Sequence, residues 1–160
     1  MNKINHLKHN IYISGLGVVL MGFWNVIKVF ITLNVGAERF QKDAIIADIP
    51  DDEKWIFYLI SYAILLVLSA IVVLFHNFIG LNAMRRAKGK RFRKSYIFVA
   101  IVFLVVVITG IPSYFTNIKD LKNIDSVIAA AIVDLTLIFI LGDIIISSFK
   151  LKKIEKKKDN

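Results

Sequence analysis

The sequence predicts an all-α integral membrane protein: a single domain of four transmembrane helices in a compact antiparallel bundle, N-in and C-in. Three observations predict it. Four apolar runs of 20 or more residues alternate with polar links, and 18 or more apolar residues suffice to cross a hydrocarbon core of about 30 Å. Hydrophobic residues make up 57% of the 160-residue chain and the mean hydropathy is +0.66, above the roughly 45 to 50% apolar content of a soluble domain. The basic residues are sorted by side, as described below.

The first span runs from Ile11 to Leu33. Its apolar stretch is longer than the 7 to 15 residues of a signal-peptide core and no small-x-small site follows, so it reads as a retained anchor. Gly17, Met21, Trp24 and Lys28 share one of its faces while Gly15 and Gly22 mark another, where a neighbouring helix can approach closely. The link that follows, 34–54, predicts a short surface helix around Ala37 to Ile49 with Phe40, Ala44, Ile45 and Ile49 on one side. The acidic run Asp51, Asp52 and Glu53 sits where a helix macrodipole favours carboxylates, a simpler reading than a calcium site.

The second span covers 55–78, with Trp55 as an interfacial belt residue; its apolar run could extend through Leu81. The third covers 96–115, and Pro112 bends or ends it. The fourth covers 127–149, with Ala129, Ala130 and Ala131 as a second close-packing surface.

Lysine and arginine set the orientation. Lys3 and Lys8 precede the first span, seven cations fill the loop 82–95, and six lysines follow the fourth span in the tail 150–160, which places 15 basic residues on one side. The opposite side has five, Arg39, Lys42, Lys54, Lys119 and Lys122. The positive-inside rule then makes both termini and the middle loop cytoplasmic, in a cell membrane of bacterial type. The net charge of +9 is accordingly a topology signal, and no nucleic-acid partner is expected. The loop cations Arg85, Arg86, Lys88, Lys90, Arg91, Arg93 and Lys94 read as contacts to anionic lipid headgroups or to a partner, each contributing about 1 kcal/mol near an anionic leaflet.

Inside the spans the unusual residues are Lys28, Asp134, Asp143, His76 and Asn25. An ionisable group at such depth costs several kcal/mol unless paired or hydrated, so each is a candidate functional residue. Lys28 lies about 8 Å and Asp134 about 10 Å from the outer ends of their spans, which predicts a Lys28–Asp134 ion pair; snorkelling of the Lys28 stem is the plain alternative. Asp134 and Asp143 are nine residues apart, about 180° around a helix, and point to opposite faces. Tyr58, Tyr62 and Ser69 form a polar stripe that leads to His76. His76 and Asp143 share a depth that suits a proton relay, set against ordinary interhelical hydrogen bonding.

The chain has no cysteine, which removes disulfides, thiolate metal sites and thiol redox chemistry. Its three histidines, His6, His9 and His76, form no HExxH arrangement, and its serines lack a nucleophile elbow. No enzyme activity, cofactor or metal is expected. The four short spans are comparable to small multidrug transporters, but that family relies on an acidic residue in its first helix, where this chain carries Lys28. The expected role is a non-enzymatic accessory or regulatory subunit associating with itself as a homo-oligomer or with another membrane protein. The alternative is a small oligomeric transporter or ion pathway built on the intramembrane charges.

Overall fold

A computed structural model describes residues 3–40, 50, 53–112 and 124–158, with side chains over 3–27, 50, 53–112 and 128–157. Among the described residues the secondary structure is helical: α1 Lys3–Phe40, α2 Lys54–Ala87, α3 Tyr96–Gly110 and α4 Ile124–Lys158. Three of them, over Lys3–Ile27, Lys54–Ala87 and Ile128–Lys157, are long and apolar enough to cross a membrane. Helix α3 is apolar but has 15 residues, about 22 Å at 1.5 Å per residue and short of a full hydrocarbon core.

The helix limits differ from the expected spans in an instructive way. Helix α1 starts at Lys3 rather than Ile11, and α4 runs on to Lys158 rather than stopping at Phe149. Both extensions are held by an apolar seam described below. Helix α1 also runs on to Phe40, into the start of the expected surface helix, whose remaining residues 41–49 lie outside the described ones, as do Asp51 and Asp52. Helix α3 ends before Pro112. The Ile111 N–H turns to the Ile108 carbonyl at 3.2 Å, the carbonyl that a proline four residues on could not use.

The chain divides into two compact units, Met1–Met21 with His76–Asn160, and Gly22–Phe75. In the second, the α2 side chains Trp55, Leu59, Ile60, Ile64, Leu66, Val67 and Leu74 are exposed. That exposure suits a helix surrounded by lipid or by another apolar surface.

The first unit holds the core. Its buried and half-buried positions step by threes and fours: Ile4, Leu7, Ile11, Ser14, Val18 and Met21 on α1; His76, Ile79, Ala83 and Arg86 on α2; Tyr96, Ala100, Phe103 and Val107 on α3; Leu137, Leu141, Ile144, Ser148 and Leu151 on α4. This is the 3.5-residue seam of knobs-into-holes packing. Leu7, Ile11 and Leu151 belong to one apolar cluster on which Ile4 and Ile154 pack. Both helix extensions thus carry apolar side chains into the core of the unit.

Two glycines set the closest approach. A Cβ on Gly15 would lie 2.9 Å from the Gly80 carbonyl oxygen and 3.1 Å from Ala83 Cβ. One on Gly80 would run into the Gly15 carbonyl oxygen and lie 2.6 Å from Val19 Cγ2. The backbones of α1 and α2 touch here, as small residues permit.

Helix α2 ends in a Schellman motif: Gly89 adopts φ +68°, the Lys90 N–H bonds the Arg85 carbonyl at 2.9 Å and the Gly89 N–H bonds the Arg86 carbonyl at 3.0 Å. Asn82 then fastens the loop. Its amide donates to the Phe78 carbonyl at 2.7 Å and its oxygen accepts the Arg93 N–H at 2.9 Å.

Gly80→Ala should lower stability by about 1 to 3 kcal/mol through overpacking, whereas Gly142→Ala, where nothing lies within 4 Å of an added Cβ, should be neutral or stabilising. Denaturation of the two variants in detergent measures the difference, and equal stabilities would remove the close contact as its cause.

Candidate functional site

Two polar nodes lie within the first unit. The first joins α2, the α2–α3 loop, α3 and α4 around Arg86, which is 7% exposed. Its Nη1 donates to the Tyr96 hydroxyl at 3.2 Å and its Nη2 to the Ser148 carbonyl at 2.9 Å. The Tyr96 and Ser148 hydroxyls share a 2.8 Å bond. The guanidinium carbon lies 5.5 Å from the Phe92 ring centroid, and Phe92 meets Tyr96 edge-on at 6.0 Å. Arg86 is a buried cation whose contacts are neutral oxygens and a ring face. A guanidinium suits this setting because its charge is delocalised, weakly hydrated and able to stack on aromatics.

The second node is Asp143. Ser14 of α1 donates to Oδ2 at 2.6 Å, and Ser147, one turn along α4, donates to Oδ1 at 3.2 Å. Each carboxylate oxygen thus has its own hydroxyl. The half-buried carboxyl group links α1 to α4 through Ser14. Nearby, a Cβ on Gly17 would lie 3.1 Å from Ile140 Cδ1, so α4 passes close to α1 there. Among the described residues no buried side-chain nitrogen or oxygen lacks a partner.

The sequence-derived candidates fall as follows. His76 is fully buried and packs edge-on against Phe103 at 4.7 Å. Asp143 receives the Ser14 and Ser147 hydroxyls, and His76 is engaged in interactions of its own besides the Phe103 ring. Asp134 and Asn25 are half-buried and both are engaged in interactions of their own. The Lys28 side chain lies outside the described residues, and with it the expected pair to Asp134. On the polar stripe, the Ser69 hydroxyl donates to the Leu65 carbonyl at 2.8 Å, Tyr62 is exposed, and Tyr58 is half-buried beside Phe57.

The loop cations divide. Arg85, Lys88, Lys90, Arg91, Arg93 and Lys94 are exposed, with Lys88 Nζ 4.8 Å from the Tyr12 ring centroid. Arg86 is turned inward, because it continues the His76–Ile79–Ala83 seam by three residues. Tyr96 is fully buried because it starts the corresponding seam on α3. Ser14, Ser147 and Ser148 were not singled out by sequence. Their signal is positional: Ser14 and Ser148 interrupt apolar seams at the 3–4 spacing, and Ser147 stands four residues after Asp143.

Tyr96→Phe leaves the buried guanidinium short of an acceptor and should cost about 1.5 to 3 kcal/mol. Adding Arg86→Met to Tyr96→Phe removes the charge and should restore most of that stability; unfolding of both variants in detergent checks the order. Comparison with family models, with curated proteins and with solved structures finds no match to this chain.

Proposed function

We propose that this chain is a small four-span protein of a bacterial-type cytoplasmic membrane, an antiparallel bundle with both termini inside, acting as a non-enzymatic accessory or regulatory subunit. It associates with itself or with another membrane protein. One observation carries the reading: the buried polar groups of the first unit bond to one another, Arg86 with Tyr96 and Ser148, and Asp143 with Ser14 and Ser147. Groups held in this way stiffen a scaffold and are not presented to a substrate. What faces outward is an apolar surface along α2 and a set of cations at the loop, chemistry for lipid and protein contact.

The antiparallel arrangement of α1 and α4 is supported by register. Ser14 meets Asp143 and Gly17 faces Ile140, so three residues forward on one helix match three back on the other. Inward termini are supported by the basic residues of the loop and of both flanking segments.

Gentle detergent extraction from native membranes, followed by native mass determination and mass spectrometry of co-purifying chains, tests the role. A stoichiometric partner or a defined homo-oligomer is expected, and a strictly monomeric, partner-free protein would sink the proposal. The second reading, a small oligomeric ion or proton pathway, draws on the Asp143 node, where a carboxylate and two hydroxyls meet between α1 and α4. On that reading Asp143→Asn abolishes proton flux in proteoliposomes while the protein stays folded. Unchanged flux takes Asp143 out of any transport mechanism.

A further inference from the structure

We propose that the helix ends 3–10 of α1 and 150–157 of α4 form an upright basic stalk that docks an acidic segment of a soluble protein. The proposal deepens the subunit reading and rests on it, since it names the chemistry of a partner. Helix α4 has 35 residues without a break, about 52 Å at 1.5 Å per residue, against a hydrocarbon core of about 30 Å. Its apolar run 127–149 covers that core, so 150–158 extends about 13 Å further along the same axis.

The extension is anchored in the same apolar core as the start of α1. A basic tail that lies flat on a leaflet buries its apolar side chains among the acyl chains. Here Leu151 is 0% exposed, Leu7 is 8% exposed, and both belong to one cluster on which Ile4 and Ile154 pack. The apolar side chains that would anchor a surface helix are taken up in the unit's own core. The lysines are left outside: Lys3 on α1, and Lys150, Lys152, Lys153, Lys156 and Lys157 on α4, all exposed, with Glu155 as the one acid in the α4 segment.

Height separates these charges from the loop. Arg86 bonds the Ser148 carbonyl, which sets the base of the α2–α3 loop level with residue 148 of α4. Lys156 and Lys157 stand about 12 Å beyond that level, more than the screening length of about 8 Å at physiological salt. The loop cations therefore serve the headgroups while the far lysines face water. Protein is favoured over nucleic acid because segment 150–157, which carries most of the lysines, contains no aromatic side chain on which bases could stack. An acidic helix or tail supplies the complementary charge.

The test uses the full chain in phosphatidylglycerol-containing nanodiscs. Because the chain has no cysteine, Lys156→Cys takes a single nitroxide label, and collision accessibility reports its height. The label is expected in water beyond the phosphates; a label at phosphate depth overturns the stalk. A fluorescent oligoglutamate peptide at physiological salt should bind the protein above the level of empty nanodiscs. Reversing Lys152, Lys153, Lys156 and Lys157 to Glu should weaken it about tenfold, the sum of several modest surface pairs, whereas Arg91→Glu with Lys94→Glu should change it less than about threefold. Equal loss in both variants, no binding above empty nanodiscs, or tighter binding of a single-stranded oligonucleotide of matched charge overturns the acidic-protein assignment. A native partner recovered equally well with the tail-reversed variant refutes the stalk while leaving the subunit reading intact. Absence of any partner or oligomer refutes that reading by itself.

Discussion

The contact of Gly15 with Gly80 is the constraint on which the rest of the first unit depends. With backbone against backbone and Val19 closing one side, α1 cannot slide or rotate on α2 without a clash. That fixed register delivers Ser14 to Asp143, Gly17 to Ile140 and Tyr12 to the reach of Lys88. A larger residue at either glycine would separate the helices and lengthen a 2.6 Å hydrogen bond that tolerates little change. Packing and polar contacts are therefore one system, and the apolar seam holds the geometry in which the hydroxyls and the carboxylate meet.

The two polar nodes solve the same problem differently. Asp143 is half-buried and receives two hydroxyl donors, so its charge is dispersed by hydrogen bonds. Arg86 is buried further, and its environment is a phenol, a carbonyl and a ring face. Neither arrangement has the strength of a buried ion pair, and neither carries its desolvation cost for two opposite ions. Together they bind all four helices of the unit, with Asn82 adding the loop through the Arg93 N–H. The loop is thus a built piece of structure, closed by Gly89 in the left-handed conformation and by an amide clamp.

The helical class and the membrane-length apolar character of three of the four expected spans were legible in the sequence because length and composition carry those signals directly. Helix ends were less so. The runs 3–10 and 150–158 are polar by count, and only their few apolar residues, Ile4, Leu7, Leu151 and Ile154, join the core of the unit. Arg86 illustrates the same limit. Among seven clustered cations nothing in composition distinguishes it, and only the three-residue step from Ala83 places it on the buried seam. In helices that are apolar all round, the stripe facing a neighbour differs little from the stripe facing lipid, so periodicity is a weak guide. Asp143 was legible as an unusual residue, whereas its serine partners were not, because hydroxyls are ordinary within such helices.

The bond from Arg86 to the Ser148 carbonyl spans 62 residues of chain. During synthesis the arginine emerges with α2, and Phe92 and Tyr96 follow within ten residues, so the loop can gather around the cation early. Its last acceptor arrives only with the end of α4. The guanidinium thus has ring and hydroxyl neighbours close by in sequence and a carbonyl acceptor far from it, so one side chain ties the end of α4 to the end of α2.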